Sequence, residues 1–180
     1  MRISALACAV LGVIAAFLAA SPPASAQRAQ ENAVKATFLT RFASFVEWPV
    51  EAFESPEAPL VVCVSGDGAV AELTERAAVG QRVNGRALVV RRLGAVSRGS
   101  GCHVLYLAGA GGQSVAAALR LLRGEPVLTV TDAHHDSARG AVHFVLSEGR
   151  VRFHIDRSGA TAGGLSINSR LLNIALSVRG

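Results

Sequence analysis

The sequence predicts an α/β domain, a mainly parallel central sheet flanked by helices, with an antiparallel β-hairpin near the C-terminus. Three observations carry this. Short, continuously apolar and β-branched runs recur at 60–66, 87–93, 103–109 and 126–132, each the length of one buried strand. Helical stretches fall between such runs, the alternation that covers both faces of a parallel sheet. Finally, "AVHFVLSEGRVRFHID" (141–156) switches to period two on either side of Glu148-Gly149, the pattern of a two-residue hairpin.

The chain opens on Arg2, an apolar run from Ile3 to Ala20, a Ser-Pro-Pro break and "ASA" at 24–26. A short basic start, an apolar middle and a small-x-small end predict a secretory signal peptide over residues 1–26, cut after Ala26. A retained membrane anchor is the rival reading, because the run approaches bilayer-spanning length. Cys8, in "LAC", precedes the apolar run rather than following it, which is the wrong place for a lipoprotein cysteine. Residues 27–180 remain, the length of one domain with its own core.

The first element of that domain is the helix in "KATFLTRFASFVEWP" (35–49), which holds three of the seven Phe and the single Trp. Val34, Phe38, Leu39, Phe42, Phe45 and Val46 recur at helical spacing as one apolar stripe, with Lys35, Arg41 and Glu47 off it. Pro49 sets the limit, since the residue before a proline is pushed out of the helical region. A Pro-rich connector runs to Pro59, and "LVVCVSG" (60–66) is the first buried strand. Ala69–Ala78 is a helix, "ALVVRRL" (87–93) a strand, "HVLYLAG" (103–109) another, residues 113–122 a helix and "PVLTVTD" (126–132) a strand.

In the hairpin, period two puts Val142, Phe144, Leu146, Val151, Phe153 and Ile155 on the core face. His143, Val145, Arg152 and His154 fall on the other, largely polar one. "SGATAGG" reads as a Gly-rich link. "SINSRLLNIALSV" (166–178) reads as a closing helix capped by Ser166 or Asn168, burying Ile167, Leu171, Leu172, Ala175 and Val178.

Lys and Arg number 18 against 13 Asp and Glu, a formal charge of +5, and the arginines are scattered. Without a basic cluster or interleaved aromatics, nucleic acid is excluded as a partner. Two cysteines remain after the leader, Cys63 and Cys102. An even pair in an oxidising compartment predicts one disulfide, which closes a loop of about 40 residues and constrains the unfolded chain by roughly 4 kcal/mol.

Three patterns suggest chemistry. "GQSVA" (112–116) lies after a strand and opens a helix, with Asp132 and several His downstream, the chain order Ser, Asp, His of a serine hydrolase. Ala116 stands where a nucleophile elbow needs Gly, so Ser114 reads better as a helix cap. "GAGGQS" resembles a phosphate-binding loop but lacks the Lys-Ser/Thr ending. His143 and His154 face each other across the hairpin, in the register where side chains approach most closely, and could hold a metal ion. His134, His135 and Asp136 supply further donors, while the rival reading makes all of these surface residues. Trp48 reads as half-buried core at a helix end and, as Trp is a common interface anchor, also as a contact residue. Glu47, Trp48 and Arg152 are the candidate partner-binding residues.

Together, "KATFLTRFASFVEWP", "VVCVSG" (61–66), "CHVLYL" (102–107), "PVLTVTD", "VRFHI" (151–155) and "SINSRLLNIA" (166–175) resemble the YfiR family, periplasmic repressors of a membrane-bound diguanylate cyclase. The resemblance covers essentially the whole chain after the leader. It departs at "GAVHFV", where members tend to show Gly-Gly followed by an apolar residue and Asn. His154 stands where Glu or another polar residue is common, and a second cysteine pair found in some members is absent. The resemblance implies a non-enzymatic, cofactor-free regulator, a homodimer with the Cys63–Cys102 bridge as its cross-strand disulfide. Its implied partners are an inner-membrane diguanylate cyclase, bound at the periplasmic sensor region, and an outer-membrane, peptidoglycan-associated lipoprotein that draws it away. The alternative reading is a periplasmic small-ligand or metal-binding module with its site at the strand ends or between the two hairpin histidines.

Overall fold

The computed structural model describes residues 23–180, so the predicted leader lies outside the described residues up to position 22. Helix α1 (Ala24–Phe42) leads through a turn to β1 (Val46–Glu47) and a short 3-10 turn at Val50–Ala52. Strand β2 (Leu60–Ser65), helix α2 (Gly68–Ala78) and strands β3 (Arg82–Val83), β4 (Arg86–Leu93) and β5 (Val104–Leu107) follow. Then come α3 (Val115–Leu121), β6 (Leu128–Asp132), β7 (Val142–Ser147), β8 (Arg150–Asp156) and α4 (Arg157–Ala162). Finally β9 (Ser166–Ile167), α5 (Ser169–Ile174) and β10 (Ser177–Arg179) close the chain.

One eight-stranded sheet runs in the order β10-β8-β7-β6-β5-β2-β4-β3. Its five central strands, β4-β2-β5-β6-β7, are mutually parallel, and the hairpin partner β8 runs antiparallel to β7, as the sequence predicts. The chain leaves β2 toward β4 and then returns to β5 on the other side, the doubly wound order with its switch point between β2 and β5. Strand alternation divides the core in two. Val62, Val64, Tyr106, Val130 and Phe144 pack under α1 and α2, while Val61, Cys63, Leu105 and Leu107 pack under α3. Beneath α1, Phe38, Phe42, Phe144 and Phe153 form a ring cluster, with Phe42 edge-on to Phe153 at 5.4 Å between centroids. Such pairs add about 0.5–1.5 kcal/mol beyond the burial of their area.

Four local expectations are corrected. The opening helix stops at Phe42, so Phe45 and Val46 are not helical. Val46 and Glu47 instead pair antiparallel with Ile167 and Ser166, a small second sheet that ties the two ends of the domain together. Lys35 belongs to the buried side of α1 at 6 % exposure, and Val34 is the more exposed of the two at 37 %. The Gly-rich link contains α4, because the Asp156 carboxylate accepts the Ser158 N–H and caps a turn there. The closing helix is confined to Ser169–Ile174, capped by Asn168, since Ser166–Ile167 and Ser177–Arg179 are drawn into sheets; Ala175 and Val178 lie outside it.

The Cys63–Cys102 bridge forms between the middle of β2 and the approach to β5, with Cα atoms 5.8 Å apart. Both cysteines are buried, and the Arg91 guanidinium lies 3.9 Å from each sulfur. Cys63→Ser is expected to lower stability by up to roughly 4 kcal/mol while leaving the far-ultraviolet circular dichroism unchanged. Equal melting temperatures with and without reductant would contradict this.

Candidate functional site

At the carboxyl ends of the central strands lies a buried charged cluster. The Lys35 ammonium of α1 reaches the Asp132 carboxylate at the end of β6, 2.6 Å away, with both side chains almost fully buried. The Tyr106 hydroxyl of β5 donates to the same oxygen at 3.0 Å, and the His134 backbone N–H donates to the other at 2.9 Å. Burial alone would raise the Asp132 pKa, but Lys35, the His134 N–H and Tyr106 outweigh it and hold the carboxyl below its usual range. Burial and the neighbouring carboxylate push the Tyr106 hydroxyl up, so it stays a donor. Alongside, the His135 imidazole bonds Asp67 at 3.2 Å and holds that carboxyl low, while Asp67 also caps α2.

Every carboxylate oxygen of Asp132 is thus engaged, and the cluster latches α1 to the sheet. The crevice that doubly wound sheets offer at the switch point is closed as well. A Cβ on Gly66, after β2, would lie 2.0 Å from the Gly109 carbonyl oxygen, after β5, so only glycine lets these two turns meet. The Ser114 hydroxyl accepts the Ala117 N–H at 3.2 Å as the cap of α3. Among the described residues no histidine bonds it, and Asp132 is held by Lys35, so the Ser, Asp, His order does not become a triad.

The opposite end of the strands holds a second cluster. The Trp48 indole N–H donates to the His103 carbonyl at 3.2 Å. The His103 ring accepts the Val61 N–H on Nδ1 at 3.0 Å and stacks on Phe53 at 4.3 Å, and the Arg86 guanidinium lies over the Phe53 ring, 3.7 Å from its centroid. The His103 Nε2 is buried without a well-formed hydrogen bond. Burial lowers its pKa to about 4, and the nearby Ala52 carbonyl offsets only part of that. Around this clamp the surface is acidic with an apolar tip: Glu47 and Glu51 are exposed, Trp48 is half-buried, and Val50 is 82 % exposed.

On the polar hairpin face, His143 opposes His154 as expected. Ser147 and Arg150 flank the two-residue turn and the Asp156 N–H donates to the Ala141 carbonyl, so the histidine pair is a hydrogen-bonded one, the wider of the two kinds. Each ring already has a hydroxyl partner, Thr131 at 2.8 Å and Ser177 at 2.7 Å. Among the described residues no group of three His, Cys, Asp or Glu could hold a metal ion. Arg152 is exposed on this face opposite Val145, at the carboxyl end of β7, whereas Glu47 and Trp48 sit beside the start of β5. The three candidate contact residues therefore do not share one surface.

Lys35 as a buried partner, Tyr106 and His103 escaped the sequence reading, and Asp132 entered it only as the acid of the Ser, Asp, His order. A lone Lys in an apolar helix and an Asp closing an apolar strand are the available signal for the ion pair, but nothing in either segment says that they meet.

The fold and its clusters define a disulfide-stapled, doubly wound domain whose buried polar groups hold its elements together. That class has a family: the YfiR/HmsC-like model matches residues 32–176, and the chain belongs to this family. The family is one of periplasmic regulators of diguanylate cyclase signalling. Comparison with curated proteins returned no match.

Lys35→Met strands the Asp132 charge and is expected to cost about 3–5 kcal/mol in urea denaturation, much of it recovered by the double change with Asp132→Leu. Because Asp132 has a depressed pKa in the fold, its stabilisation is present above the ordinary carboxylate range and lost as pH falls through the folded value. His103 acts at higher pH: the fold holds it neutral, so stability declines by roughly 3 kcal/mol as pH drops from 7 toward its folded pKa of about 4. His103→Gln should flatten that part of the profile; an unchanged slope would place the titrating group elsewhere.

Proposed function

We propose that the chain is exported, loses its leader after Ala26, and works in the periplasm as a homodimer. In this reading it docks on the periplasmic sensor region of an inner-membrane diguanylate cyclase and represses it. An outer-membrane, peptidoglycan-associated lipoprotein is the proposed competitor for the same protein. The observation that carries the reading is the family match across residues 32–176, which supports a regulator of this pathway. The docking element we assign is the corner of Glu47, Trp48, Val50 and Glu51. Its exposed Val50 sits beside a Trp fixed by its bond to the His103 carbonyl, an apolar anchor that needs little ordering on binding. Arg152, at the other end and on the other face, lies outside this docking element, and any contact it makes is with a partner other than the sensor region.

Repression by docking requires no bond to be made or broken, in keeping with Ser114 acting as a helix cap. The metal-binding alternative has less support, since His143 and His154 are already bonded to Thr131 and Ser177.

Co-expression with a membrane diguanylate cyclase bearing a periplasmic sensor domain should lower cellular cyclic-di-GMP. Val50→Asp should restore the level about tenfold toward that of cells without the protein, with an unchanged melting temperature, because Val50 is largely in solvent. Cyclic-di-GMP that is indifferent to the wild-type protein would sink the reading.

A further inference from the structure

A cleft of about 400 Å³ opens where the C-terminal end of α3 meets the starts of β6 and β7. Arg120 of α3 and Arg123, in the turn just after it, enter from one side, and Arg139 enters from the opposite side, on the connection between β6 and β7. Among the described residues none of the three is in an ion pair, whereas Arg76, Arg92 and Arg98 each hold a glutamate. The one acidic residue lining the cleft, Asp156, already spends an oxygen on capping the turn at Ser158. Basic residues at the end of α3 also complement its dipole, which explains Arg120 and Arg123 but not the arrival of Arg139 from across the cleft.

The backbone behind Arg139 is fixed. The Gly140 N–H donates to the Thr131 hydroxyl and the Ala141 N–H to the Thr129 hydroxyl, both at 2.9 Å. A Cβ on Gly140 would lie 2.8 Å from the Thr129 carbonyl oxygen, so glycine lets this connection lie flat on the sheet. Arg139 therefore projects from a pinned strand entry, not from a loose loop. Its charge reaches further: burial first, then Arg139, lowers the pKa of both His143 and His154 in the small adjoining hollow.

We propose that this cleft binds a small organic polyanion, a di- or tricarboxylate or a phosphate ester, held between Arg120, Arg123 and Arg139. Guanidinium groups match carboxylate and phosphate oxygens two at a time, and three of them against one committed carboxylate favour a ligand with more than one negative charge. The volume suits a small molecule, at the lower end of the roughly 300–1,000 Å³ of ligand cavities. No aromatic side chain lines the cleft, which disfavours a stacked nucleic acid base. The proposal goes beyond repression and needs no partner, so failure of one leaves the other standing.

Isothermal titration of the purified protein with citrate and with pyrophosphate at low ionic strength tests it. Saturable binding of at least one probe is expected, weakened about tenfold by Arg123→Gln and by Arg139→Gln, and unchanged by Arg76→Gln. Arg139→Lys, which keeps the charge but loses the fork, should fall between. Amide resonances of Gly140 and Ala141 should shift on binding, a readout independent of the variants. Absence of saturable binding by both probes, or an equal loss in Arg76→Gln, would overturn the proposal by leaving only non-specific attraction to a basic protein.

Discussion

A single buried ion pair sets the geometry on which both ends of the molecule depend. Lys35 and Asp132 meet at 2.6 Å inside the core, and the direction of α1 across the sheet follows from that contact. The four-phenylalanine cluster supplies attraction, but apolar packing tolerates sliding; a lysine held to a carboxylate that also accepts from Tyr106 and the His134 N–H does not. With α1 so placed, its C-terminal end delivers Val46 and Glu47 to pair with β9, and Trp48 to the His103 carbonyl. The exposed corner beyond is thus positioned by a contact at the far end of the strands.

The two ends of the sheet are consequently built for different purposes. At the carboxyl ends, where doubly wound folds commonly bind ligands, the Gly66–Gly109 approach closes the switch point, while the Lys35–Asp132 latch forms part of the wall of a cleft of about 420 Å³ that Glu31 and His134 also line. At the amino ends, the Cys63–Cys102 bridge, the His103–Phe53 stack and Arg86 brace a surface that is acidic and apolar on one side. The arginine-lined cleft lies on the other face, between α3 and the strand entries.

Much of the architecture was legible because each strand run stated its own environment. "LVVCVS" is apolar on both faces and became the fully buried β2, and Glu148-Gly149 fixed the hairpin register by requiring two consecutive residues with positive φ. The same signal at Asn84-Gly85, φ 50° and 82°, announced the β3–β4 hairpin and went unread, because β3 has only two residues. The ends of α1 and α5 were misjudged for a different reason. Val46 and Ser166–Ile167 continue helical patterns in sequence, yet long-range pairing between them outweighs local preference. Lys35 was invisible for the same cause, since its partner is 97 positions away in the chain and period alone marks it as a solvent-facing residue.

The candidate contact residues illustrate the limit more sharply. Trp48 and Arg152 were grouped by residue type, and only the fold separates them to opposite ends and faces of the sheet. Hydrogen exchange of the protein with and without a purified periplasmic sensor domain of a diguanylate cyclase tests the central claim most directly. Docking through the Trp48 clamp predicts new protection confined to residues 47–57, with the hairpin around Arg152 unaffected. Protection that appears only on the hairpin, or nowhere, would contradict it.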